Sequence, residues 1–77
     1  MKKVLVLGIG CAACEKLAAL VLRAADELEV PVELEKIGDL DRILAYDIAA
    51  TPGLVVDGEL RSAGRVPPLA EIKRLIR

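Results

Sequence analysis

Histidine, asparagine, glutamine, phenylalanine and tryptophan are all missing from this chain of 77 residues, and Tyr46 is its single aromatic. An apolar core must therefore come from Val, Leu, Ile and Ala, which dominate a hydrophobic content of 55%. At this length only about 60% of the unfolded chain's surface can be buried, so the core has to be economical. One domain over residues 1–77 is expected. Missing amides combined with 30% charged residues resemble the composition of heat-tolerant or idealised sequences and carry no information about activity.

There is no excess of one charge either. Eleven basic and twelve acidic residues are interleaved, for a net charge of -1, so the basic face or stripe that a phosphate backbone requires is absent. Nucleic acid is not an expected partner. No stretch reaches the roughly 20 apolar residues of a membrane span, so no membrane partner is expected. The opening "MKKVLVLGIG" has the basic pair and apolar run of a signal peptide, yet the run stops at a glycine and leads straight into periodic sequence. A cytoplasmic monomer without a cofactor is the expectation. Linkers, repeats and low-complexity segments are lacking too.

What is present reads as alternating strands and helices. "KVLVL" is a continuous apolar run suited to a strand covered on both faces. Over residues 11–28, Leu17, Leu20, Val21, Ala24 and Leu28 recur at helical spacing, and Val30 and Pro31 end the pattern. "VELEK" alternates as a half-buried strand nearer an edge. Asp39 is a candidate N-cap for a shorter helix with Leu40, Ile43, Leu44 and Ile48 as its apolar positions. In "GLVVDGEL", Asp57 and Gly58 suit a tight hairpin turn. Pro67 and Pro68 then introduce a last helix carrying Leu69, Ile72, Leu75 and Ile76. The order βαβαββα, with a right-handed parallel crossover first and an antiparallel hairpin later, predicts an α/β fold with a four-stranded mixed sheet and helices packed on it.

Both cysteines lie in "GIGCAACEK". Redox chemistry, soft-metal binding and inert packing are all open for such a pair, and in a reducing compartment a structural staple is the least expected use. On a helix, Cys11 and Cys14 would be neighbours close enough for a reversible disulfide. Cys11 falls at the helix entrance, where free N–H groups and the helix dipole favour a thiolate, so it is the expected nucleophile. Cys14 shares the spacing of Leu17 and Val21, which assigns it to the buried face and to the resolving role. Gly8 and Gly10 suit a tight strand-to-helix loop and the close approach of a partner, or a turn that needs glycine for backbone reasons alone.

The Cys-Ala-Ala-Cys pair after a first strand, the element order and "ATPGLVVDGEL" after the second helix together resemble the thioredoxin superfamily, most closely its small microbial thioredoxin-like redox-active disulfide proteins. The resemblance spans essentially the whole chain. It implies a thiol–disulfide oxidoreductase that exchanges its dithiol with disulfide-containing protein substrates and is re-reduced by an electron-donating reductase. It also implies a cis Thr51-Pro52 bond facing the cysteines, with the Thr51 backbone offered to an extended partner segment. Gly64 and Arg65 would border the same partner-binding groove.

Departures from that family are visible. Ile9-Gly10 and Ala12-Ala13 stand where thioredoxins typically carry an aromatic and Gly-Pro, and "KVLVL" lacks a buried acid to take the proton of Cys14. No Gly-Gly-Asp stretch of the glutaredoxin kind follows the hairpin. The first 21 residues also resemble heavy-metal-associated domains, in which such a pair binds Cu(I) or Zn. That family runs βαββαβ, however, and has methionine where Ile9 stands. Metal binding is therefore the alternative expectation, with no metal assigned.

Overall fold

The computed structural model describes residues 1–9 and 12–77. Its elements are β1 (Lys2–Leu7), α1 (Ala12–Leu28), β2 (Val32–Ile37), α2 (Leu40–Leu44), β3 (Gly53–Val56), β4 (Glu59–Ala63) and α3 (Leu69–Ile76). The strands form one sheet in the order β2-β1-β3-β4. β1 is parallel to β2 and antiparallel to β3, and β3 and β4 form the hairpin. This is the α/β mixed-sheet architecture expected from the sequence.

Val4 to Leu7 are all buried because β1 is covered on both faces. On one face Val4 and Val6 join Leu54 and Val56 of β3 and meet Leu17, Val21, Ile72 and Ile76 of α1 and α3. On the other, Leu5 and Leu7 join Val55 and meet Ile37 and Ile43, with Tyr46 and Ile48 packed alongside. The two layers are unequal. α1 buries six residues, including Leu17 and Val21, and full burial of such side chains is worth about 1.5–3 kcal/mol each. α2 buries only Ile43, so its layer is thin.

The edge strand β2 follows its alternation. Val32 and Leu34 pack toward α1, and on the same face Lys36 Nζ donates to both carboxylate oxygens of Glu15 at 2.8 Å. Glu35, one residue earlier and on the opposite face, pairs with Arg42 of α2 at 3.5 Å.

α1 ends without a glycine. Glu29 takes φ of 55°, its N–H donates to the Asp26 carbonyl at 3.1 Å, and the Val30 N–H reaches the Ala25 carbonyl at 2.9 Å. That pair of bonds is the Schellman arrangement, with Glu29 in the position glycine usually fills.

The Asp57-Gly58 turn has φ of 50° and 85°, the two positive angles a type I′ hairpin requires. Asp57 also ties the hairpin to β1. Its Oδ1 accepts the Lys3 N–H at 2.9 Å, and its own N–H donates to the Lys3 carbonyl at 2.8 Å. The Lys3 bond first, and Lys2 beside it, hold its carboxyl below the usual value. A register shift between Leu54 and Val55 leaves Arg61 as the extra residue of a β-bulge, which the hairpin pattern did not predict.

α2 differs from the sequence expectation in a way that matters for the site. Asp39 does cap it, its side chain accepting from the Asp41 N–H, but the helix is only five residues long. At little more than one turn it presents a single position to the sheet, and Ile43 takes it. Leu40 and Leu44, expected on the apolar face, are 55% and 57% exposed. Ile48 lies beyond the helix, after a turn in which Asp47 has φ of 57°, and is half-buried against the second core layer.

Candidate functional site

The strand register brings two of the expected site residues, Pro52 and Gly64, to one end of the sheet. Ile37, Leu7, Gly53 and Ala63 lie side by side across the four strands. The next residues beyond that row are Gly38, Gly8, Pro52 and Gly64. Gly8 N–H donates to the Ile37 carbonyl at 3.0 Å, and Gly64 N–H donates to the Pro52 carbonyl at 2.9 Å. A Cβ on Gly38 would lie 3.7 Å from the Gly8 carbonyl oxygen. The chain leaves this row through Gly8 and Ile9 on its way to α1, so the segment that carries the cysteine pair is rooted there.

Cys14 sits in the first turn of α1, 6% exposed, within the cluster that includes Leu17, Ala18 and Val21. Gly10 and Cys11 lie outside the described residues. The Thr51–Pro52 peptide bond is cis. Pro52 is buried and Thr51 exposed. Gly64 is constrained twice, by φ of 76° and by Ala50, whose Cβ would lie 3.2 Å from an added methyl. Arg65 is bound to α3. Its guanidinium donates to the two carboxylate oxygens of Glu71 at 2.8 and 3.1 Å, and the bond keeps the Glu71 carboxyl below its usual range.

Sequence reasoning missed a groove next to Thr51. It measures about 230 Å³ and is lined by Leu40, Ile43, Leu44, Ile48 and residues 49–51. Ile9, 61% exposed, adds another apolar side chain at this end of the sheet. The apolar spacing of Leu40, Ile43, Leu44 and Ile48 carried no signal that some of these residues face outward, because the helix stops at Leu44.

The family described as Thioredoxin domain matches residues 2–77. The chain belongs to that family. It is 43% identical over 76 residues to a thioredoxin of Methanothermobacter thermautotrophicus, covering 99% of both chains. It is also 31% identical over 68 residues to a thioredoxin of Methanocaldococcus jannaschii, covering 88% of this chain and 78% of that one. Family membership supports a thioredoxin-like redox function at the general level. Among the described residues no helix is long and apolar enough to cross a membrane.

Proposed function

We propose that the chain is a thiol–disulfide oxidoreductase that exchanges a Cys11/Cys14 dithiol with disulfides of protein partners. The thiolate of Cys11 attacks one sulfur of the partner disulfide, forming a mixed disulfide, and the departing partner thiolate takes up a proton. Cys14 then loses its proton and attacks the Cys11 sulfur. The second partner thiol is released, the pair is left oxidised, and a reductase returns the two electrons. Thr51 offers its backbone to the partner segment, and Gly10 and Gly64 leave room for it.

The observation that carries this reading is the row at the end of the sheet. It sets the Thr51-Pro52 segment and Gly64 beside the β1 exit that leads into the cysteine pair. The burial of Cys14 in the first turn of α1 supports the resolving role, since a covered thiol attacks a bound neighbour more readily than a free partner. Arg65, whose guanidinium is bound to Glu71, borders the partner segment next to Gly64.

Trapping tests the assignment. Cys14→Ser should accumulate mixed disulfides with a protein substrate through Cys11, seen on non-reducing gels, whereas Cys11→Ser should accumulate few. Equal trapping by both variants would refute the division of roles. The soft-metal alternative shares only the cysteine pair with this reading, and adding Zn or Cu(I) to the same assay separates the two.

A further inference from the structure

Glu15 follows Cys14 directly and is the acidic residue in the first turn of α1. Both of its carboxylate oxygens accept from Lys36 Nζ at 2.8 Å, although the two side chains are each more than half exposed. Exposed ion pairs contribute little to stability, so the place of this one matters more than its strength. Lys36 precedes Ile37, a member of the row at the site end of the sheet, and it reaches α1 from the edge strand β2.

Electrostatics gives that place a consequence. The positive end of a helix stabilises an anion within its first turn. In the oxidoreductase reading that anion is the thiolate of Cys11, which immediately precedes Ala12, the first residue of α1. Glu15 is four residues on from Cys11, and a carboxylate without a cation there would compete for the same positive end and repel the thiolate. Lys36 supplies the compensating charge and ties the carboxylate to β2. Other charges near this end are engaged elsewhere. Glu35 pairs with Arg42 on the opposite face of the sheet, Asp39 caps α2, and Arg65 is held by Glu71; Lys16, the next residue of α1, is common to every variant below.

We propose that Lys36 sets the redox poise of the cysteine pair by cancelling the charge of Glu15. Neither residue reacts, so both are positioning residues, and the inference rests on the oxidoreductase reading. The reduced pair carries the thiolate and the disulfide carries no charge. When oxidised dithiothreitol takes two electrons and two protons from the dithiol, the products are the protein disulfide and reduced dithiothreitol. A charge that disfavours the thiolate shifts that exchange toward the protein disulfide, and one that favours it does the reverse.

Reduction potentials of the intact protein in a dithiothreitol buffer series at pH 8 test the proposal. Lys36→Met should shift the exchange toward the protein disulfide by about two- to fivefold at low salt, a potential more negative by about 9 to 21 mV. Glu15→Gln should shift it the opposite way. The double variant should return close to the parent, and Lys36→Arg, which keeps the charge, should match the parent. At about 0.5 M salt the differences should shrink. A purely structural clip between α1 and β2 predicts another pattern, because breaking it from either side would lower stability to urea alike without giving potentials of opposite sign. Shifts of the same sign in Lys36→Met and Glu15→Gln, or unchanged potentials in both, would overturn the inference.

Reduction of a protein disulfide by the parental chain reports separately on the oxidoreductase reading. A parent that does not reduce it removes the redox role, while opposite shifts in potential would still support the tuning of the pair. A parent that does reduce it, with potentials indifferent to both charges, keeps the role and overturns the inference.

Discussion

Replacing Gly53 with alanine adds one methyl group at the point where the Thr51-Pro52 segment enters the sheet. The backbone of Gly53 lies outside the left-handed region, so alanine is opposed by space and not by φ. The new methyl would overlap Ile48 Cδ1 and lie 3.3 Å from Leu7 Cδ1 and 3.4 Å from Leu7 Cβ. Leu7 is fully buried and has nowhere to go, so Ile48 must move. Overpacking of this kind costs about 1–3 kcal/mol, offset by about 0.4–1 kcal/mol because alanine restricts the unfolded chain. A net loss of about 1–2 kcal/mol is expected, or roughly 4–8 °C in Tm per kcal/mol for a domain of this size.

Ile48→Val removes the colliding atom. By itself it should cost about 0.5 kcal/mol, the low end for this change, since Ile48 is only half-buried. The double variant should then be more stable than the sum of the singles by about 1 kcal/mol, measured by urea unfolding. A Gly53→Ala protein as stable as the parent, or strictly additive singles, would show that Ile48 does not close on Gly53.

Glu29→Gly should raise Tm, because it relieves a left-handed non-glycine residue; the relief, about 1–2 kcal/mol, exceeds the added freedom of the unfolded chain. Asp57, Glu27 and Glu71 all have carboxyls held below their ordinary values of 3.8 and 4.5. Their contribution is complete above those values and is lost as pH falls through the lowered ones, so unfolding monitored by circular dichroism should show stability declining below about pH 4. Asp57→Asn should flatten part of that decline. Arg65→Met should return the Glu71 carboxyl toward its ordinary titration range in an NMR titration, because the guanidinium bond is the first cause of its shift.

Local signals made much of the fold legible. Four consecutive buried residues in β1, the spacing of Leu17 and Val21, the Asp39 cap and the Asp57-Gly58 turn are all written within a few residues of where they act. Features that depend on distant parts of the chain were not legible. Leu40 and Leu44 are exposed because α2 stops after five residues, and nothing in their spacing tells a one-turn helix from a longer one. Glu29 closes α1 without the glycine that usually marks such an end. The row of Gly38, Gly8, Pro52 and Gly64 needs the register of four strands, and no single segment contains it.

The unequal layers of the sheet also divide the work of the site. Cys14 is held by the thick layer, in which α1 and α3 lock around Leu17, Val21, Ile72 and Ile76. Thr51 is held from the thin side, by Gly53 lying against Ile48 and Leu7 and by the bond between Gly64 and Pro52. Segments with few buried apolar contacts open at lower free energy than the core they rest on. A change at Ile48 or Gly53 therefore reaches the segment proposed to bind partners while the helix carrying Cys14 stays packed. In the Gly53→Ala protein, exchange with protein disulfides should fall further than exchange with a small aromatic disulfide, since only the former needs Thr51 in register. Equal losses for both would mean that the two layers are coupled through β1, and that the thin side has no separate role in partner binding.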